Sequence, residues 1–352
     1  MRILITGHTG FKGSWLALML ASRGHEVSGI ALDPLPGGLY ERGRINELLR
    51  HDIRLDIRDA TALRDAVSSI GAEVVFHLAA QALVRESYLS PRETYETNVT
   101  GTLNVLEAIS VTPETRAAVI ITTDKVYRNI GQMAGYVETD ALGGDDPYSA
   151  SKAMADLLTQ SWIKSFPGAP TAIARAGNVI GGGDVSKYRL LVDLVNGFES
   201  GDPVHIRMPD AVRPWQHVLD CLAGYLAIAD ALLGEDGAGI GSWNIGPDPG
   251  NVQTVRQIAN DAAKMWGGNA HWVDASGDHP HEAQLLTLDS TKIQTALGWR
   301  NAVPFPDSLR WTLEWEKSVR VGDDARDVSL AQISTFVTRA SEAAWTSRFV
   351  EN

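Results

Sequence analysis

Residues 2–15 read Arg2-Ile3-Leu4-Ile5-Thr6-Gly7-His8-Thr9-Gly10-Phe11-Lys12-Gly13-Ser14-Trp15. The apolar run over 3–6 has the composition of a buried strand, and apolar residues recur at helical spacing over 14–23. Between them stand three glycines spaced G-x-x-G-x-x-G. Glycine permits a tight turn and lets backbone approach a bound group closely. A helix start offers unpaired N–H groups and a positive dipole end, which together favour a phosphate. Strand, glycine turn and helix in this order predict a dinucleotide-binding unit in which Gly7, Thr9, Gly10, Phe11, Lys12 and Gly13 surround the cofactor.

The same alternation runs outward through the first half. Apolar runs over 26–32, 53–56, 74–78 and 117–122 read as buried strands, and 60–70 and 98–109 as helices. Strand and helix repeated this way predict an α/β fold with a Rossmann-type, doubly wound parallel sheet. Asp33 closes the second strand. An acid there accepts hydrogen bonds from the adenosine ribose and repels a 2′-phosphate, so NAD is expected rather than NADP. Before Pro34 it also reads as an ordinary turn residue. Asp56 and Ile57 follow the third strand and flank the adenine in this reading, while Asp59 reads as a helix cap.

The second half is less regular. It predicts a helix over 147–165, a strand over 171–175, a glycine-rich bend over 177–183, a helix over 217–233 and a strand over 243–245 returning to the sheet. Residues 1–179 with 217–246 are expected to form the NAD-binding unit. Residues 180–216 and 247–352 are expected to form a smaller, interleaved α+β unit for substrate. The last thirty residues are polar with helical spacing.

Composition narrows the function. The chain has 352 residues, 44% of them hydrophobic and 21% charged, with a formal net charge of -12. Such acidity argues against non-specific nucleic-acid binding and demands local arginines for any anionic ligand. The single cysteine, Cys221, lies in an apolar run and reads as a small buried hydrophobe. No stretch approaches the roughly 20 apolar residues of a membrane span. The first strand begins at once, with no apolar leader, so a cytoplasmic protein is expected. In that setting the glycosylation pattern Asn98-Val99-Thr100 is a chance match.

Tyr148 and Lys152, at i and i+4, share one helix face. A lysine ammonium beside a phenol, next to a nicotinium, lowers its pKa towards neutrality. A phenolate can take the proton of a sugar hydroxyl as hydride leaves for a nicotinamide. Thr123-Asp124-Lys125 follows the fifth strand: Thr123 can hydrogen-bond the reacting hydroxyl, and Asp124 with Lys125 forms an acid–base pair or a plain loop ion pair. Arg175, Arg189, Arg207 and Arg213 supply forks that suit a diphosphate, each about as fit for a structural role. Arg213 is the strongest candidate, in a compact loop before a helix. His279-Pro280-His281-Glu282 lacks helical spacing and a partner cluster, so no metal is expected.

These motifs together resemble a known family. The glycine turn, Leu78-Ala79-Ala80-Gln81, Thr97-Asn98-Val99-Thr100-Gly101-Thr102 and Tyr148-x-x-x-Lys152 are similar to the extended short-chain dehydrogenase/reductases of the epimerase/dehydratase type. Within that family, residues 7–15, 122–125, 142–144, 175–184, 213–218 and 281–283 resemble the CDP-glucose 4,6-dehydratases, with lysine at 125 the most telling residue. The chain departs from their pattern at Val185 and at Val126-Tyr127-Arg128, which flank the expected sugar site.

The resemblance implies tightly held NAD, touched also by Leu78, Ala79, Ala80, Gln81, Asn98, Thr122, Tyr148 and Lys152. It implies CDP-glucose bound by Gln81, Arg85, Asn178, Arg189, Arg207, Arg213, Gln216, His217 and Glu282. The implied reaction is redox-neutral. Tyr148 deprotonates the 4-hydroxyl, the resulting ketone acidifies C5–H, Lys125 removes that proton, Asp124 protonates the departing 6-hydroxyl, and hydride returns to C6. A lysine base must be desolvated or lie near positive charge, and Asp124 opposes this, so Lys125 as a charged stabiliser of the enolate stays open. A homodimer through helices near Asn98 and Tyr148 is also implied, as is a place in deoxysugar and O-antigen biosynthesis. A nucleotide-sugar 4-epimerase would need Thr123, Tyr148 and Lys152 but not the Asp-Lys pair. A non-enzymatic NAD-sensing regulator would not need Tyr148 and Lys152.

Overall fold

The computed structural model describes residues 1–352 except 133, 235, 249–251, 277–285, 344 and 351–352. Seven strands form one parallel sheet: β1 (Arg2–Thr6), β2 (Glu26–Ala31), β3 (His51–Arg54), β4 (Val74–His77), β5 (Ala117–Ile121), β6 (Thr171–Ala176) and, far along the chain, β10 (Gly241–Ile245). Their order is β10-β6-β5-β4-β1-β2-β3. The chain starts at β1, works outward to β3, then crosses to β4 beside β1. That reversal places a crevice at the carboxyl ends of β1 and β4, where α/β sheets bind ligands.

Strands β4, β5 and β6 are buried along their whole length. Continuous burial follows from cover on both faces, and it explains why these strands read as unbroken apolar runs. On one face lie helices Ala60–Ile70 and Gly101–Ser110, whose Leu63, Val67, Val105 and Ile109 pack on Leu4 and Val75. On the other lie helices Phe11–Ala21 and Val218–Leu232. These two are buried almost all round, because Trp311, Trp315, Ile333 and Phe336 of helices Phe305–Arg320 and Ala325–Glu342 cover them from outside.

A second apolar core gathers Leu191, Leu194, Phe198, Ile206, Trp215, Ile258, Leu309 and Leu313. It is built on β7 (Asn178–Ile180), β8 (Val204–Ile206), β9 (Val212–His217), β11 (Val252–Thr254) and β12 (Trp272–Asp274), with helices Leu190–Ser200, Val255–Trp266 and Phe305–Arg320. These strands pair as β11-β9-β7 and β12-β8. Two expectations are corrected here. Residues 213–217 form strand β9 rather than a loop, since Asn178–Ile180 and Val252–Thr254 flank them in register. The bend over 177–183 contains the short strand β7.

The rest of that bend is a close-packed joint. A Cβ on Gly182 would stand 2.1 Å from the Trp315 ring. Trp15 Nε1 donates to Gly182 O at 3.0 Å, and Gly183 N donates to Glu316 Oε1 at 2.8 Å. The glycines are there because tryptophan and backbone occupy the space a side chain would need. Among the described residues no helix is long and apolar enough to cross a membrane.

Candidate active site

The glycine turn folds as its spacing requires. Gly7 has φ +78°, and a Cβ there would stand 2.7 Å from Ala79 N. A Cβ on Gly13 would stand 2.2 Å from Gly7 O. Helix Phe11–Ala21 starts three residues before its expected start, with Gly10 as an N-cap that lends no side chain to the first turn. Its amides therefore face the crevice with their dipole unmasked. This cradle, which a Cβ would fill, fits a dinucleotide's pyrophosphate. Thr9 Oγ1 donates to Leu32 O at 3.0 Å and pins the turn to the end of β2. Phe11 packs against the main core and lies close to Gly181. Lys12 Nζ donates to the Tyr225 hydroxyl at 3.0 Å, and burial pulls its pKa down.

Asp33 is exposed at the end of β2, 3.4 Å from Arg54 Nε. Asp56 is engaged by Arg58, whose Nη2 donates to Oδ2 at 2.6 Å. Ile57 is buried against Gly101. Leu78, Ala79 and Ala80 leave β4 beside the turn, with Ala79 N donating to Thr6 Oγ1 at 3.3 Å. The next residues form a joint: Gln81 N donates to Asn98 Oδ1 at 2.9 Å, and Asn98 Nδ2 donates to Ser151 Oγ at 2.9 Å. The Gln81 amide closes on Leu83 and Thr94, so its side chain holds the loop rather than reaching outward.

Helix Pro147–Ser165 starts on Asp146, which accepts from Ser149 N at 2.9 Å, with proline at its first position. This start places Tyr148 and Lys152 against the end of β5. Thr123 Oγ1 donates to Asp124 Oδ1 at 2.8 Å, and its side chain also hydrogen-bonds the Tyr148 phenol. Asp124 is buried and lies 3.9 Å from Lys125 Nζ, which is one-third exposed. The sequence-predicted set Thr123, Asp124, Lys125, Tyr148 and Lys152 thus converges at one strand end.

In the protein alone, burial governs the electrostatics of this pair. Lys152 Nζ donates to Ile121 O at 2.9 Å. Burial, with Lys12 nearby, pulls its pKa down to about 7. Tyr148 is itself buried, and that desolvation pushes its phenol up to about 12 against the Thr123 hydrogen bond and the Arg189 charge. Loss of water from the phenolate outweighs the positive groups around it.

The arginines divide. Arg175 is buried, and its fork donates to Asp156 twice at 2.8 Å and to the Tyr127 hydroxyl at 2.7 Å. It is a structural strut and not a diphosphate ligand. Arg189 stands just before helix Leu190–Ser200, near enough for its charge to act on both Lys12 and Tyr148. Arg85 lies 4.7 Å over the Tyr188 ring, one residue from Arg189, and Tyr188 holds the left-handed φ of +63°. Arg207 is exposed after β8, Asn178 opens β7, and Arg213 lies within β9 with Nη1 donating to Val212 O at 2.9 Å.

Two expected substrate contacts are not met. His217 is wholly buried between Trp15 and Trp311, where burial pulls its pKa down to about 3. It caps helix Val218–Leu232 by accepting from Leu219 N. Gln216 is buried and ties β9 to β10 by donating to Ile245 O at 3.0 Å. Glu282 and the His279-Pro280-His281 run lie outside the described residues. Among the described residues no group of three or more His, Cys, Asp or Glu side chains could hold a metal.

Sequence reasoning missed Asp156 and Tyr225. Asp156 stands one turn after Lys152 and takes Arg175 and Thr122 from below, with Thr122 Oγ1 donating to Oδ2 at 3.1 Å. Its i+4 spacing from Lys152 was a signal. Tyr225 had none, since its approach to Lys12 is purely tertiary.

Known proteins resemble this chain along nearly its whole length. The family model for GDP-mannose 4,6-dehydratase matches residues 4–312. A CDP-glucose 4,6-dehydratase from Salmonella typhimurium is 42% identical over 346 residues, 96% of each chain. A dTDP-glucose 4,6-dehydratase from Escherichia coli is 27% identical over 90% of this chain and 92% of its own. A dTDP-glucose 4,6-dehydratase from Streptomyces venezuelae, solved with NAD, superposes with a TM-score of 0.79 at 26% identity, over 92% of this chain and 99% of that one.

Proposed function

The chain belongs to the GDP-mannose 4,6-dehydratase family, and from that premise we propose that it dehydrates CDP-glucose to CDP-4-keto-6-deoxyglucose. The observation that carries this reading is the turn at the end of β5, where Asp124 and Lys125 lie 3.9 Å apart beside the Thr123–Tyr148 hydrogen bond. NAD, when bound, supplies the redox chemistry, accepting hydride and giving it back.

Gly7, Gly10 and Gly13 cradle its pyrophosphate, and Asp33 takes its adenosine ribose. Tyr148 accepts the proton of the sugar 4-hydroxyl, steadied by Thr123. Lys125 serves the C5 proton, as base or as stabiliser of the enolate, and Asp124 protonates the departing 6-hydroxyl. Arg189, Arg207 and Arg213 meet the diphosphate, with Arg85 at the lip. The main core, with 1–179 and 217–246, serves the cofactor, and the second core serves the nucleotide sugar.

A homodimer is proposed through helix Pro147–Ser165, whose Met154 and Leu157 lie about half exposed one turn apart. We place the enzyme in the cytoplasm, in deoxysugar synthesis. The test is incubation with CDP-glucose, dTDP-glucose, UDP-glucose and GDP-mannose in parallel, following the alkaline absorbance of a 4-keto-6-deoxy sugar. Product from CDP-glucose alone supports the proposal. Product from another nucleotide alone overturns the substrate, and silence from all four overturns the reaction.

A further inference from the structure

Arg54 ends β3 in register with Ala31 of β2, two residues before Asp33. Its Nε lies 3.4 Å from Asp33 Oδ1. The guanidinium is fixed in place. Nη1 donates to Asp52 Oδ1 at 2.5 Å and lies 3.3 Å from His8 Nε2, Nη2 donates to the Tyr40 hydroxyl at 2.7 Å and to Asp52 Oδ2 at 3.2 Å, and the group stands 5.2 Å over the Tyr40 ring. Asp52 also accepts from the Tyr40 hydroxyl at 2.5 Å and lies 2.7 Å from His8 Nε2. His8 is buried, and burial holds its imidazole below its ordinary pKa, so it adds no charge at neutral pH. One guanidinium therefore stands between two carboxylates.

A planar guanidinium fork binds phosphate well, and here Asp33 alone stands at the Nε that faces the end of β2. Enzymes that take NADP place an arginine where the ribose 2′-phosphate lies, and those that take NAD place an acid there. Here both are present and in contact. We propose that Arg54 is a latent 2′-phosphate ligand, and that NAD is selected because Asp33 and Asp52 neutralise this arginine rather than because a phosphate ligand is missing. The inference rests on the reading of Asp33 as the ribose residue.

The consequence is that Asp33→Ala alone, with no arginine added, opens the pocket to NADP. The purified protein is titrated with NADP and, separately, with NAD, and the displacement of bound NAD gives the ratio of the two affinities. Wild type, D33A, D33N and D33A/R54M are compared, each with its melting temperature. Asp33 is 91% exposed, so its replacement leaves the core intact.

We expect D33A and D33N to weaken NAD and to move the ratio towards NADP by about tenfold or more. The double variant should lose that gain. If NAD binding is unchanged in D33A, Asp33 is not the ribose residue and both statements fall. If NAD weakens but NADP gains nothing, or gains equally without Arg54, the ribose reading stands and the latent site is refuted.

Discussion

Lys152 shows how burial sets chemistry at a single residue. Its folded pKa of about 7 lies below the ordinary lysine value of 10.5, which the unfolded chain keeps. Between those values the unfolded state binds more protons, so this residue's contribution to stability rises with pH. Below about 7 the cost of burying the charge is fully present. We expect Lys152→Met to be more stable than the wild type below that pH. Its advantage should shrink as pH rises towards 10.5, read from urea unfolding at several pH values. A pH-independent difference would mean that folding does not shift the Lys152 pKa. Lys125 is a different case. Its side chain is one-third exposed beside buried Asp124, and only its backbone N–H reaches the Tyr148 machinery, donating to Thr123 Oγ1 at 3.4 Å. Lys125→Met should cut turnover by about 10²–10⁴-fold, the usual worth of a positioned proton-transfer group. The first oxidation, followed by absorbance of the reduced cofactor in a single turnover, should survive. Loss of both steps together would remove Lys125 from the elimination. The identity of these residues was legible in the sequence, because Tyr-x-x-x-Lys and Thr-Asp-Lys are local patterns. The high pKa of Tyr148 was not, since desolvation depends on every element packed around the phenol.

At the scale of elements, the glycine turn and the Arg175 strut hold the site in shape. Gly13→Ala would drive a Cβ to 2.2 Å from Gly7 O. The turn must open to admit it. We expect NAD affinity to fall by more than about tenfold, checked by titration, while Gly24→Ala, at a turn with nothing near its Cβ position, should leave cofactor affinity unchanged. Asp156 joins Lys152's helix to β6 through Arg175, and to β5 through Thr122. Removing one partner of a buried pair leaves the other charge uncompensated. Asp156→Ala should cost about 3–5 kcal/mol in denaturant unfolding. A cost near zero would show that Arg175 finds other partners. The strands of the main sheet were readable because each is a buried apolar run. Strand β3 was placed two residues late, as its four residues are mostly exposed or half-buried and carry little apolar signal. Strand β9 reads as a loop in the sequence because Arg213, Pro214 and Gln216 lack an alternating pattern, and its partners lie far apart along the chain.

For the whole molecule, the arrangement is two apolar cores meeting at the carboxyl edge of one parallel sheet. The glycine bend over 177–183 is locked between Trp15 and Trp315, so the lobe that carries Arg189 is set against the lobe that carries Tyr148. The sheet and the cofactor cradle were legible because both follow from short-range patterns. The lobe that meets the sugar was not. Its strands are three residues long, and its placement rests on contacts between segments such as 178–180 and 212–217 that no local pattern announces. The same gap hid Arg54, which reaches Asp33 only because β2 and β3 are neighbours. The central claim is that one crevice oxidises a sugar at C4, eliminates water and returns the same hydride at C6. The most direct measurement is a turnover of CDP-glucose deuterated at C4, with the position of the label read by NMR in the product. Deuterium is expected at C6 of a 4-keto-6-deoxy sugar. Deuterium back at C4 of a hexose with inverted configuration would contradict it, and would make the enzyme an epimerase.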